Sequence, residues 1–465
     1  MGPNTPTRDQ TSGASTITIR LQRLPAPAAI SPRRGPDEAE ATHLPSPPIM
    51  HTRRQFIRAA ALGAAAAGTL PGLLRGQTSP GAKPESYGNG DSEPPQAVNR
   101  QIVDFHNHWI TPREIELLSR RTEAPRIIVG ADGQKIQVSK AAGTYPAGTH
   151  PLSEAQYDVE SRIRHLDKAG VHHQVVSTAG ASYDGVIPPD EARPIWRAHN
   201  EDLAELVRKY PDRFSALASL PTGNPQWAAE ELDRAHRELG LIGATLPVDA
   251  FVSLEGARSL APVFEVAQKH GSHIFVHRGA AGLNVPGQHP ELGDDTNHYF
   301  GLPRGIDPSR LHESAVPGDN ANARYTLATT THLAIATITL ALTDFLDPYP
   351  DVSVQVLMLG GSISFVAEQV GLSARREGGP NPADRLRRIY VDTGPYSKSP
   401  RGIALAAKVF GADRVLFGSD FGAQPELSTF IAAVQGARLS PEEKDLIFTG
   451  NGRRLLAAHG VTLTA

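Results

Sequence analysis

Ile102-Val103-Asp104-Phe105-His106-Asn107-His108 carries an apolar strand into two histidines one residue apart. In an extended segment the side chains at i and i+2 lie on one face. His106 and His108 can therefore aim two imidazoles at one point, which is what a metal ion needs. The spacing alone says little, because two solvated or hydrogen-bonded histidines read the same way. Its force comes from position: an apolar strand precedes the pair, and further ligand-type residues stand at the ends of later strands.

Working outward from this stretch, strand-like and helix-like segments alternate from residue 101 onward. The expected strands are 101–105, 171–177, 214–220, 242–247, 272–277, 352–357, 389–392 and 415–419. Helical patterns lie between them, at 190–210, 225–240, 260–269, 325–346 and 400–410, and 426–437 follows the last strand. This alternation fits a (β/α)8 TIM barrel. An open doubly wound sheet ranks second, since no Gly-rich phosphate loop follows the first strand. Two connections are long, 111–156 after strand one and 279–324 after strand five. In a barrel both lie on the carboxyl face, where such loops cover a pocket; surface decoration is the plainer alternative.

The polar residues at the strand ends form a set. Strand one gives His106 and His108, strand five ends in His277, and strand eight ends in Asp420. Three neutral imidazoles and one carboxylate suit one divalent metal, Zn2+ first, with Mn2+ or Fe2+ also accommodated. Strands eight and one become neighbours when a barrel closes, which brings the four together. Singly, His277 reads equally as a core histidine and Asp420 as a helix cap.

Composition narrows the function. The chain has 465 residues and a formal net charge of −3, with no long basic run, which argues against nucleic acid as a partner. There is no cysteine, so disulfides, thiolate-bound zinc and thiol nucleophiles are excluded. Residues 1–49 are proline-rich, lack apolar periodicity and read as disordered or as an over-extended upstream segment. Met50 precedes His51-Thr52-Arg53-Arg54-Gln55-Phe56-Ile57-Arg58 and then a small apolar stretch. That pattern reads as a twin-arginine export signal over residues 50–80. The apolar stretch is short and interrupted by Gly and Pro, so no permanent membrane span is expected after processing. Residues 81–100 read as a linker, 101–465 as the barrel, and the destination as the periplasm.

Val103-Asp104-Phe105-His106-Asn107-His108, Phe275-Val276-His277 and Leu416-Phe417-Gly418-Ser419-Asp420 together resemble the metal-dependent amidohydrolases of the amidohydrolase-2 type. These are the relatives of 2-amino-3-carboxymuconate semialdehyde decarboxylase and of the γ-resorcylate-type decarboxylases. Tyr210-Pro211-Asp212-Arg213-Phe214 and Gly240-Leu241-Ile242-Gly243-Ala244 are similar to that family too, and the resemblance covers 101 to about 459. It implies a barrel with one divalent metal held by His106, His108, His277 and Asp420, with Asp420 also orienting or deprotonating water on the ion. It favours decarboxylation of a small aromatic or unsaturated carboxylic acid, with hydrolysis of C–C, ester or amide bonds as the runner-up, and a homodimer.

One departure stands out. The family's strand-six histidine, its acid/base, opens a His-Gly-Gly-Gly-like turn, and here Leu359 precedes Gly360-Gly361. No histidine occurs between His332 and His459. Removing a general acid/base costs about 10²–10⁴ in rate. Either the metal and Asp420 suffice, or another group substitutes, with His332 the best candidate, or the protein is a binding relic. His332 reads otherwise as an ordinary helix residue. Arg278 is a candidate for a bidentate substrate-carboxylate contact, or a surface ion pair. Asp392 is a candidate support for a ligand histidine, or a turn cap. His172 and His173 begin strand two and read as structural. His289, His298 and His312 fall in the second long connection.

Overall fold

The computed structural model describes residues 101–140, 148–178, 186–279, 320–375, 379–395, 398–423 and 426–463, all within the second of two compact units, Ala82–Ala465. The expected signal, linker and upstream segment, the segment containing His289, His298 and His312, and most of the second long connection lie outside them.

Every expected strand has a counterpart. β1 (Ile102–Asp104) pairs in parallel with β5 (Val171–Val176), and β5 with β6 (Phe214–Ala216). A second parallel sheet runs through β7 (Ala218–Ser219), β8 (Gly243–Pro247), β9 (His273–His277), β10 (Ser353–Val356), β11 (Tyr390–Asp392) and β12 (Val415–Leu416). Only Leu217 separates β6 from β7, so the two are one interrupted strand. Phe105 N–H donates to Phe417 O at 2.9 Å, and Asn107 bridges Phe421, which joins the last strand to the first. An eight-strand parallel barrel results. Its strands are short apolar runs because they are covered on both faces: Ile274, Phe275 and Val276 are fully buried, as are Val354 and Val356.

The helices follow from the pattern and their caps. The helix α3 (Pro189–Lys209) starts on Pro, carries Asp190 and Glu191 in its first turn, and ends in Arg208 and Lys209, an order that suits the helix dipole. The helix α7 (Ala321–Leu342) is capped by Asn320, whose side chain accepts the Ala323 N–H at 3.1 Å. No helix among the described residues is long and apolar enough to cross a membrane.

The first long connection departs from expectation. It is not a bare loop. The helix α1 (Pro112–Ser119), closed by a Thr111–Glu114 capping box, leads to an antiparallel sheet of β2 (Arg126–Val129), β3 (Lys135–Ser139) and β4 (Gly148–Pro151). The signal is present in the sequence: Asp132-Gly133 between two alternating apolar runs is a strong hairpin pattern, and Gly133 takes φ +82°.

Candidate metal centre

The four strand-end residues meet. One ligand-type atom from each of His106, His108, His277 and Asp420 lies within 4.8 Å of every other, and all four residues are buried. Ring centroids are 5.3 Å apart for His106 and His108, 5.1 Å for His106 and His277, and 4.6 Å for His108 and His277. Asp420 Oδ1 lies 2.9 Å from His108 Nε2 and 3.5 Å from His106 Nε2. Asp420 takes φ +55°, a conformation short polar side chains tolerate, and its N–H donates to His106 O at 2.6 Å. This contact lies between the Phe105–Phe417 and Asn107–Phe421 contacts that close the barrel, and it sets the carboxylate against the first histidine.

Two of the rings are oriented from behind. His106 Nδ1 donates to Asp392 Oδ1 at 2.9 Å, and His277 Nδ1 donates to Arg278 O at 2.9 Å. Each ring then presents Nε2 to the cluster, the arrangement in which a carboxylate or carbonyl fixes a ligand histidine's tautomer. Buried His106 Nε2 has no hydrogen-bond partner among the described residues, which is what a nitrogen meant for a cation would show. Burial opposes charge at His106, yet Asp392 and Asp420 outweigh it and raise the ring to about 10. Burial also pushes Asp420 upward, but His106 and His108 hold it well below the usual carboxylate range. His277 is driven well below its ordinary value, by burial first and then by the two neighbouring histidines. An ionised carboxylate, a buried ring nitrogen without a hydrogen-bond partner and a second ring kept neutral fit a borderline divalent cation.

Asp392 supports this centre rather than merely capping a turn. Its Oδ1 accepts from His106 Nδ1, Gly394 N–H at 2.8 Å and Met358 N–H at 3.1 Å, and its Oδ2 accepts from Gln355 Nε2 at 2.6 Å. Asp392→Ala is expected to weaken divalent-ion binding by about 10–100-fold without emptying the fold of its strands. Competition with a chromophoric chelator measures this, and an unchanged affinity would mean that the His106 orientation is set elsewhere.

Sequence reading passed over three buried charged groups, two that support the centre and one that pairs with His332. Asp104 Oδ1 accepts His106 N–H and Ser419 N–H at 3.1 Å, and Oδ2 accepts Ser419 Oγ at 2.6 Å and Gln174 Nε2 at 2.7 Å. Burial raises the Asp104 carboxyl above its ordinary value while these donors pull it back. Fully buried Arg162 donates to Asn107 Oδ1, His108 O, Ala155 O and Gln174 Oε1, and burial pushes it down to about 9. The third is Asp249, whose Oδ1 lies 2.6 Å from His332 Nε2. Asp104 was in plain view, a charge inside an apolar strand; Arg162 and Asp249 carry no local signal because their partners are remote in sequence.

The remaining residues fall as follows. His332 is buried and paired with Asp249, outside the four-residue cluster. Arg278 is half-buried and lends its carbonyl to His277. His173 bonds Asp212 O and Ser215 Oγ at the start of its strand, a structural role. Leu359 stands in the turn after β10, where Met358 and Leu359 take φ +53° and +57°. Such values are outliers for bulky side chains. Gly361 is irreplaceable beside them: a Cβ there would meet Thr330 O at 2.1 Å.

A closed parallel barrel with a buried three-histidine, one-aspartate cluster at the carboxyl ends of its strands defines a metal-centre protein of the TIM-barrel class. The Amidohydro_2 family model, described as amidohydrolase, matches residues 103–457, and the chain belongs to that family. Among curated proteins it is similar to the γ-resorcylate decarboxylase of Rhizobium sp., 31% identical over 163 residues, which is 34% of this chain and 47% of that one. It is also similar to the 2-amino-3-carboxymuconate-6-semialdehyde decarboxylase of Dictyostelium discoideum, 31% identical over 121 residues, 26% of this chain and 34% of that one. The chain thus spans about a third to a half of the length of these curated relatives. A dihydroxybenzoic acid decarboxylase from Polaromonas, solved with bound manganese and the inhibitor 2-nitroresorcinol, shares the fold. It superposes with a TM-score of 0.54 at 18% identity, covering 77% of this chain and 97% of that one.

Proposed function

We propose that this chain is a metal-dependent carboxy-lyase that decarboxylates a small aromatic carboxylic acid. The observation that carries the reading is the convergence of His106, His108, His277 and Asp420 on one buried point. The decarboxylase names of its similar proteins support the substrate class. A divalent cation held by these four, Zn2+ first and Mn2+ or Fe2+ next, would supply Lewis acidity toward a carboxylate or phenolate oxygen. Asp392 keeps His106 aimed, Asp104 ties strand one to Ser419 of strand eight beneath it, and Arg162 ties the end of strand one to Gln174 of β5. Arg278 would meet the substrate carboxylate bidentately. Asp420, kept ionised, would accept a proton from the bound acid.

Metal analysis together with CO2 release from 2,6-dihydroxybenzoate tests the proposal. A chain carrying one ion and releasing CO2 supports it. An ion-loaded chain that instead cleaves esters, amides or C–C bonds would move the assignment to the hydrolase alternative. Leu359 favours a further reading, a barrel that binds without turnover. Stoichiometric ion with no turnover, in wild type and in Leu359→His, would establish that one.

We further propose export to the periplasm by the twin-arginine route, on the Arg53-Arg54-Gln55-Phe56 pattern. N-terminal sequencing of the exported chain should find a start between about 70 and 80. A homodimer is expected as well; exposed Phe365 and Leu372 on the helix α8 (Ile363–Ala374) are the apolar surface it would cover.

A further inference from the structure

Asp249 and His332 form a buried pair just past the carboxyl end of β8, outside the four-residue cluster. Asp249 lies two residues past Pro247, the register partner of His277. Its N–H donates to Gly279 O at 3.3 Å, two residues past that same histidine. His332 comes from α7, whose Thr330 O accepts the Ser362 N–H at 2.9 Å and whose Thr337 Oγ1 donates to Gly360 O at 3.2 Å. The helical turns that carry His332 therefore also cradle the turn of Leu359. The pair sits between the ends of β8 and β10, the two strands that flank His277.

Such a pair does not arise cheaply. Both side chains are only 5% exposed, and buried polar pairs of this kind are often replaceable by apolar residues at no loss of stability. An ionised carboxylate only accepts, so Asp249 fixes Nε2 as the donating nitrogen of His332. The ring's other nitrogen then handles any proton that moves. A carboxylate orienting an imidazole is the arrangement that general acid/base chemistry uses.

We propose that Asp249 and His332 do the proton work that Leu359 cannot. His332 is the catalytic residue and Asp249 the positioning residue, and the assignment rests on the decarboxylase reading above. In the step, the bond between the ring carbon and the carboxylate breaks, CO2 leaves, and the bonding pair stays on that carbon. His332 in its imidazolium form gives the Nδ1 proton to that carbon, forming the new C–H bond; the neutral ring stays hydrogen-bonded to Asp249 through Nε2, and a hydronium ion or buffer acid from solvent restores its proton.

Full-length Mn2+-loaded protein tests this by two routes. The first is calorimetric binding of 2-nitroresorcinol near pH 7 in two buffers of unlike ionisation enthalpy, which counts protons exchanged on binding. His332→Gln should abolish the wild-type proton exchange and Asp249→Asn should reduce it, both with unchanged ion content. The second is turnover of 2,6-dihydroxybenzoate, where His332→Gln should lower kcat by about 10²–10⁴ with KM little changed. Equal proton exchange in wild type and His332→Gln, including none in both, overturns the dyad. Should His332→Gln not fold, Asp249→Asn decides, and wild-type proton exchange and kcat in that variant overturn it. Loss of proton exchange in His332→Gln from a wild type that never releases CO2 retains the dyad and removes the decarboxylase assignment instead.

Discussion

Asp420→Asn is expected to lower divalent-ion affinity by more than about 100-fold, beyond the roughly 10–100-fold that losing a supporting partner costs. The variant is chosen for what it keeps. Asparagine matches aspartate in shape and tolerates the positive φ at this position, so the strand-eight turn and its N–H contact to His106 O stay in place. What goes is the only carboxylate in the cluster, and with it the charge that draws a cation to His106 and His108. The change should also read out in stability. An ion at 100 times its dissociation constant stabilises the folded chain by about 2.7 kcal/mol, and Asp420→Asn should lose that increment at the same ion concentration. Thermal melts with and without Zn2+ measure it. An equal Zn2+-dependent shift in wild type and variant would show that the ion binds elsewhere.

The second large effect is acid lability of the ion-free protein. Burial holds three histidines near the amino-terminal ends of the strands far below their ordinary value of about 6.5: His173 to about 4, His236 to about 4 and His273 to about 3. Lesser contributions come from His172 and Arg213 on His173, from His270 and His459 on His236, and from His459 on His273. Each ring is satisfied while neutral: His173 by Asp212 O and Ser215 Oγ, His236 by Ser272 Oγ, and His273 by Ser353 Oγ and Gln355 Oε1. In the unfolded chain each takes a proton below about pH 6.5. Between that value and the depressed folded one, the unfolded chain binds more protons, so stability falls as the pH falls. His106 adds no slope in this window, since its folded value of about 10 leaves it protonated in both states there. The urea midpoint should drop steadily from pH 6.5 to 4, following a fall in unfolding free energy on the order of several kcal/mol. A flat midpoint across that range would mean that these rings accept protons within the fold.

Much of this was legible in the sequence, for identifiable reasons. Barrel strands are buried on both faces and read as apolar runs, so 272–277 and 352–357 differ from the observed His273–His277 and Ser353–Val356 only at their ends. The i, i+2 rule placed His106 and His108 on one face, and barrel closure placed Asp420 beside them. Two things escaped. The antiparallel sheet Arg126–Val129, Lys135–Ser139 and Gly148–Pro151 was hidden in a connection judged by length, although Asp132-Gly133 marked its first hairpin. Arg162 and Asp249 escaped because a buried charge is explained by its partner, and those partners, Asn107 and His332, lie 55 and 83 residues away.

Anomalous scattering from a crystal of the Zn2+-loaded protein would place the ion directly. The account predicts one peak per chain about 2.0–2.2 Å from nitrogens of His106, His108 and His277 and from a carboxylate oxygen of Asp420. A peak coordinated by other residues, or none at these four in crystals that contain stoichiometric zinc, would contradict it.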